Sequence, residues 1–112
     1  MGAHRWVQKA AFWEETIRVP LMFSGPGVTP GHRSSDLVTL LDLLPTICHY
    51  AAIPANPSFR GQSLRPSLEA KPQPREYITA HLRFGTEDRE GRMLRTQRYK
   101  YIAFSKGARP EQ

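Results

Sequence analysis

The chain has 112 residues, a size that suits one small domain and excludes a multidomain enzyme. Its formal net charge is +6, and the whole excess of positive residues comes after Pro57, because residues 1–57 carry four Lys or Arg and four Asp or Glu. A basic half suits an anionic partner, but no DNA- or RNA-binding motif accompanies the charge, so we expect no nucleic-acid partner.

Cysteine content and hydropathy set further limits. Cys48 is the single cysteine, which excludes an intrachain disulfide and a cysteine-based zinc cluster. No segment approaches the roughly 20 apolar residues of a membrane span, and the first residues lack the pattern of a secretion signal. We therefore expect no membrane partner, and the sequence leaves the compartment and the oligomeric state open.

The first elements are short. Residues 10–16 predict a helix with Glu14 and Glu15 near its end, where the helix dipole disfavours a carboxylate, so Arg18 is the expected partner. The apolar run 19–24, closed by a Gly-Pro-Gly turn, predicts a buried strand.

A second strand is predicted over 37–41, followed by a helix over 43–52 that Asp42 caps and that stops before Pro54. Pro45 suits the first turn of this helix, where its missing N–H costs nothing. Four residues share one apolar face that we expect to be core: Leu44, Ile47, Cys48 and Ala51.

The second half is proline-rich and then β-rich. Residues 58–75 predict an extended connector with one helical turn near 64–68, and strands follow over 76–83, 93–96 and 99–104. We predict two domains, an α/β part over 1–57 and a basic, β-rich part over 58–112 that includes the connector.

Several motifs follow one another along the chain. They are His4-x4-Lys9, Glu14-Glu15-x-x-Arg18-Val19-Pro20-Leu21, Gly25-Pro26-Gly27, Asp42-Leu43-Leu44-Pro45-Thr46, Gly61-x-Ser63-Leu64 with Pro66, and Arg95-Thr96-x-Arg98-Tyr99-Lys100-Tyr101. Their order resembles the sulfatase family of the alkaline-phosphatase-like superfamily. The resemblance covers nearly the whole chain, and the ordered set is far more specific than any one motif.

The resemblance implies an α/β fold class: part of an alkaline-phosphatase-like sandwich, comprising the end of the central sheet with a helix, followed by a small antiparallel β-rich C-terminal subdomain. It implies that the chain begins within the catalytic core, after the metal ligands. The function implied is that of a sulfatase fragment, with sulfuric ester hydrolysis carried out by the intact parent and the chain alone inactive.

The resemblance also assigns a substrate-binding pair. Lys9 matches the active-site lysine that reaches a sulfate oxygen, and His4 matches a histidine five residues before it. An ammonium on a flexible stem suits a tetrahedral oxyanion because it needs no fixed fork geometry. A structural role for His4 in its loop remains an alternative.

No catalytic residue and no metal ligand of the family is found in this chain. Cys48 lacks the Pro and the Arg of the Cys/Ser-x-Pro-x-Arg nucleophile motif, and we expect it to be a buried thiol. The resemblance therefore places a divalent cation of the calcium type, an oxidised Cys or Ser and the sulfate ester substrate in the intact parent.

Two alternatives stay open at this point. The same superfamily includes phosphonate and phosphate monoester hydrolases, and the nucleophile motif that would decide between the two chemistries is absent here. The basic second half could also make the chain a non-catalytic binding module, in which Arg95, Arg98 and Lys100 would form a solvated strand face or contact an anion.

Overall fold

The structure, a computed structural model, describes residues 11–84 and 89–105. Three short α-helices precede a three-stranded sheet, and a 3-10 turn over Leu40–Asp42 leads directly into the second helix. The elements are α1 (Glu14–Ile17), α2 (Leu43–Tyr50), α3 (Arg65–Leu68), β1 (Ile78–Phe84), β2 (Arg89–Arg95) and β3 (Lys100–Phe104). Among the described residues, no helix has the length and the apolar character needed to cross a membrane.

The chain divides into two compact units. One is continuous and runs from Met22 to Ile78, so it contains α2 and α3. The other is assembled from the described residues on either side of that segment and contains α1 and the sheet.

Helix α2 begins and ends by identifiable local chemistry. Thr39 and Asp42 form a capping box around the 3-10 turn. The Asp42 side chain makes no capping hydrogen bond to α2 itself, so its predicted role as the cap of that helix is wrong. Pro45 lies in the first turn of α2, where no intrahelical partner is lost. The helix stops after Tyr50, since Ala52 adopts a left-handed φ of 56° and the N–H of Ile53 donates to the Cys48 carbonyl at 2.9 Å.

The sheet has the order β1-β2-β3, and β2 pairs with β3 in antiparallel register, with Met93 opposite Ile102. Phe12 is buried on one face, where its ring centroid lies 6.3 Å from that of Phe104. Gly91 permits this packing, because a Cβ at residue 91 would lie 2.7 Å from a ring carbon of Phe12. The predicted small antiparallel β-rich subdomain, and with it the fold class, is confirmed.

Two predicted strands are wrong. Residues 19–24 and 37–39 belong to no strand, and Leu40 and Leu41 lie in the 3-10 turn. An apolar run becomes a strand only where another strand supplies its hydrogen-bond partners, and the described residues pair no segment with either run. The helical turn predicted near 64–68 is confirmed as α3.

The predicted core face of α2 is also wrong, except at Cys48. The buried residues of α2 are Pro45, Thr46 and Cys48, whereas Leu44 and Ile47 are 53% and 59% exposed. The side of α2 that packs within its unit therefore combines Pro45 and Cys48 with Thr46, whose hydroxyl makes two buried hydrogen bonds.

Candidate functional site

The two predicted substrate-binding residues, His4 and Lys9, lie outside the described residues, and their assignment stays a prediction. The described chain begins at Ala11, two residues after Lys9. The contacts that hold residues 12–14 therefore bear directly on where the segment that follows Lys9 is anchored.

Glu14 anchors this segment to the sheet through a carboxylate shared by two cations. Its Oε1 accepts hydrogen bonds from Lys100 Nζ at 2.7 Å and from Arg95 Nη1 at 3.0 Å. Lys100 Nζ also donates to the carbonyl of Phe12 at 2.9 Å. Arg95 and Lys100 are opposite each other on β2 and β3, so both strands contact the residues that follow Lys9.

The charge arrangement around Glu14 corrects the predicted pairing with Arg18. The hydrogen bond from Lys100, together with the positive charges of Lys100, Arg95 and Arg18, holds the pKa of Glu14 below its ordinary value. Arg18 adds only the smallest of these effects. Glu14 and Glu15 lie in the first turn of α1, which is the favourable end for a carboxylate.

Asp42 forms the second cluster, in the unit that contains α2. Its buried carboxylate accepts two hydrogen bonds from the guanidinium of Arg75, at 2.7 and 2.8 Å. It also accepts the backbone N–H groups of Thr39 at 2.8 Å and of Gln62 at 2.9 Å. Burial raises the pKa of Asp42, but the bonds from Arg75, Thr39 and Gln62 outweigh burial and lower the pKa overall.

The motif around residues 61–64 is held against α2 by the same set of contacts. The Thr46 hydroxyl donates to the Asp42 carbonyl at 2.6 Å and accepts the N–H of Leu64 at 2.8 Å. Gly61 passes so close to the turn before α2 that a Cβ at residue 61 would lie 2.1 Å from the Leu41 carbonyl oxygen. These contacts assign a structural role, as expected, to the motif over residues 42–46 and to the motif over residues 61–64.

A serine and a histidine share a hydrogen bond at the surface of the same unit. His49 Nδ1 lies 2.9 Å from Ser63 Oγ, and Ser63 Oγ also accepts the N–H of Arg65 at 3.3 Å. Among the described residues, no carboxylate binds His49 to orient its imidazole as a catalytic triad requires. We therefore interpret the pair as a link between α2 and the residues before α3.

One acidic residue, Glu90, lies among basic side chains of β1 and β2. Glu90 lies within ion-pair distance of His81 (3.3 Å), Arg83 (3.0 Å) and Arg92 (3.7 Å). In the turn between β2 and β3, Arg98 stacks over the ring of Tyr99 at 5.1 Å. Arg95 and Lys100 are engaged with Glu14, so they do not form the solvated strand face that the sequence suggested.

Within residues 11–84 and 89–105, no group of three or more His, Cys, Asp or Glu side chains comes together to hold a metal ion. Cys48 is a free, buried thiol, as predicted. The chemistry available in this part of the chain is ion pairing and positioning.

Comparison with known proteins identifies the relatives of the chain. The family model for the C-terminal part of N-sulphoglucosamine sulphohydrolase matches residues 2–110. A Delta 4,5-hexuronate-2-O-sulfatase of Bacteroides thetaiotaomicron is 36% identical over 96% of this chain. Human arylsulfatase K is 34% identical over 94% of it. A solved structure described as a 2-O GAG sulfatase is 32% identical, with a TM-score of 0.64 over 77% of this chain.

The match covers only a part of each relative. The chain spans 24% of the Bacteroides enzyme, 21% of human arylsulfatase K and 20% of the solved sulfatase structure. The residues described here therefore correspond to about a fifth of a sulfatase, and the remaining parts of these relatives have no counterpart in this chain.

Sequence reasoning missed the partners of the two carboxylates. Arg75 lies in the connector and Lys100 in the last strand, far along the chain from Asp42 and Glu14. The sequence does contain a signal for a buried ion pair at Asp42, which stands between two pairs of leucines. A carboxylate among apolar residues needs a buried cationic partner.

Proposed function

The chain belongs to the sulfatase family, and from this premise we propose that it supplies a sulfate-binding lysine to a sulfuric ester hydrolase. Lys9 is that lysine, and its ammonium contacts an oxygen of the transferred sulfate. His4 lies beside the same group. The observation that carries the proposal is the match over residues 2–110, which includes both residues.

The role of the described residues is to place Lys9. Glu14 and the Phe12 carbonyl are bound by Lys100, which fixes the chain only a few residues after Lys9. A group that stabilises developing negative charge acts best when it is held in place before the reaction. We therefore assign Glu14, Arg95 and Lys100 as positioning residues, with no contact to the substrate.

The remaining chemistry belongs to the other part of the sulfatase. We propose that a divalent cation of the calcium type and an oxidised Cys or Ser are held there, since the described residues offer neither a ligand cluster nor the nucleophile motif. The substrate class is a sulfate ester, in keeping with the names of the relatives.

The test uses a chimeric sulfatase, in which residues 2–110 of this chain replace the matching segment of the Bacteroides relative. Lys9→Ala in this chimera should lower kcat by roughly 10²–10³-fold, as the loss of an oxyanion-stabilising donor does, with little change in the melting temperature. Lys71→Ala, at an exposed lysine paired with Glu69, is the control. A loss below about tenfold, or a folded chimera that is inactive with Lys9 intact, contradicts the proposal.

A further inference from the structure

An apolar stripe runs along one side of α2 and the turn before it, and it faces solvent. It consists of Leu40, Leu44, Ile47 and Ala51, spaced three or four residues apart so that they align on one face. The three large side chains are 65%, 53% and 59% exposed. We call these four residues the α2 stripe.

Helix α2 differs from an ordinary surface helix in leaving an apolar stripe exposed. A surface helix buries its apolar face and exposes its polar face, whereas α2 packs Thr46 inward and leaves the stripe outside. This orientation is fixed by the Asp42–Arg75 ion pair and by the Thr46–Leu64 hydrogen bond. The stripe cannot turn inward without breaking those bonds, so it stays exposed and available for contact with another surface.

The chemistry and size of the stripe define that partner. The four residues carry no charge and no polar side-chain atom, so the surface that covers them is apolar. In the solved relative, a segment of the same fold occupies 20% of one polypeptide, and the other four fifths are the material available to cover it.

We propose that the α2 stripe is the surface by which this segment docks onto the remainder of the sulfatase, against an apolar patch of the catalytic core. This inference rests on the proposed function for the identity of the partner. It goes further in assigning the contact to one face of one helix, and in making Leu44 and Ile47 its centre.

The first experiment measures association. The Bacteroides relative is produced without the segment that matches this chain and is co-expressed with the tagged 112-residue chain. The two should copurify, and 1 M salt should not separate them, since salt screens ion pairs and not apolar contacts. Leu44→Lys and Ile47→Lys should each weaken association by about tenfold or more, as truncated central interface residues do.

His32→Lys is the control, because it places the same charge on an exposed position of the same unit outside the stripe. It should bind as the unaltered chain does. In the isolated chain, Leu44→Lys should leave amide exchange at Leu64 unchanged, which shows that the substitution acts on docking and not on the fold.

The chimeric sulfatase decides the question if the truncated core is insoluble. There, Leu44→Lys should lower the melting temperature or the soluble yield well below that of His32→Lys, and equal values for the two variants overturn the proposal. Turnover is measured separately. A complex that forms through the stripe but hydrolyses no sulfate ester contradicts the proposed function only, and an active chimera that tolerates Leu44→Lys contradicts the docking surface only.

Discussion

Asp42 and Arg75 are joined by two side-chain hydrogen bonds although 33 residues separate them. The Asp42 carboxylate is completely buried, and the Arg75 side chain is 14% exposed. Both oxygens of the carboxylate are used, since the backbone N–H groups of Thr39 and Gln62 complete the set. This ion pair ties the connector to the start of α2.

Arg75→Ala should destabilise the unit from Met22 to Ile78 strongly. Removing one partner of a buried ion pair leaves an uncompensated charge and costs about 3–5 kcal/mol, a large share of the roughly 5–15 kcal/mol of a small domain. Faster amide exchange at Thr39 and Gln62 would report the loss. Arg60→Ala, at an exposed arginine of the same unit, is the control, and equal exchange rates in the two variants would refute the assignment.

Gly61→Ala should be more damaging than Gly31→Ala. The new methyl group at residue 61 collides with the backbone of Leu41, which cannot move without shifting α2, and such overpacking costs about 1–3 kcal/mol. Gly31 has a φ of 68° and open space around it, so alanine there suffers backbone strain alone, about 1 kcal/mol. Urea unfolding of both variants checks the order, and the reverse order would contradict it.

Glu14→Gln in the chimeric sulfatase should lower kcat while KM and the melting temperature change little. The variant removes the charge that Lys100 and Arg95 hold, so the segment after Lys9 loses part of its anchor. Glu14→Asp should restore part of the rate, because it keeps the charge. Glu15→Gln is the comparison at the neighbouring residue. If Glu14→Gln reduces only the melting temperature, the contact is structural and not positioning.

The free energy of unfolding should fall at low pH in part because Glu69 becomes protonated. Hydrogen bonds from Lys71 and from Arg65 lower the pKa of this carboxyl from 4.5 to about 2. A lowered pKa means that the stabilisation is present above pH 4.5 and is lost as the pH falls towards 2. An NMR titration of the Glu69 carboxyl measures it directly. Lys71→Ala should raise the midpoint, and titration near 4.5 in the unaltered chain would contradict the contact.

The isolated chain should not hydrolyse sulfate esters at any calcium concentration. It lacks the nucleophile motif, and its described residues bring no ligand cluster together, so we expect neither a covalent intermediate nor a metal that polarises the ester. A chromogenic aryl sulfate provides the assay. Turnover by the pure protein that disappears in Lys9→Ala would show that the chain is catalytic by itself.

Elements whose signals are local could be predicted from the sequence. The start of α2 was correct because Asp42 and Pro45 mark a helix start wherever they occur in this spacing. The last two strands were found because alternation around Met93 and Tyr101 reflects a sheet whose partner strand lies next in sequence. These elements depend on residues close to themselves.

Elements that depend on distant residues could not be predicted in the same way. Residues 19–24 are apolar enough for a strand, yet strand formation needs a hydrogen-bonding neighbour that no local pattern supplies. Periodicity located the apolar side of α2 correctly, but burial is decided by what packs against a helix. Thr46 faces inward because its hydroxyl accepts a hydrogen bond from the N–H of Leu64, which comes 18 residues later.

The division into a continuous and a split unit has a consequence for synthesis on the ribosome. Residues 22–78 form their unit from one uninterrupted stretch, so Arg75 can reach Asp42 as soon as the connector has emerged. Glu14 must wait for Lys100, almost the last described residue, before its partner exists. Glu14, although translated long before β3, therefore acquires this contact only after β3 has been made, and a ribosome stalled before β3 would display Glu14 without Lys100.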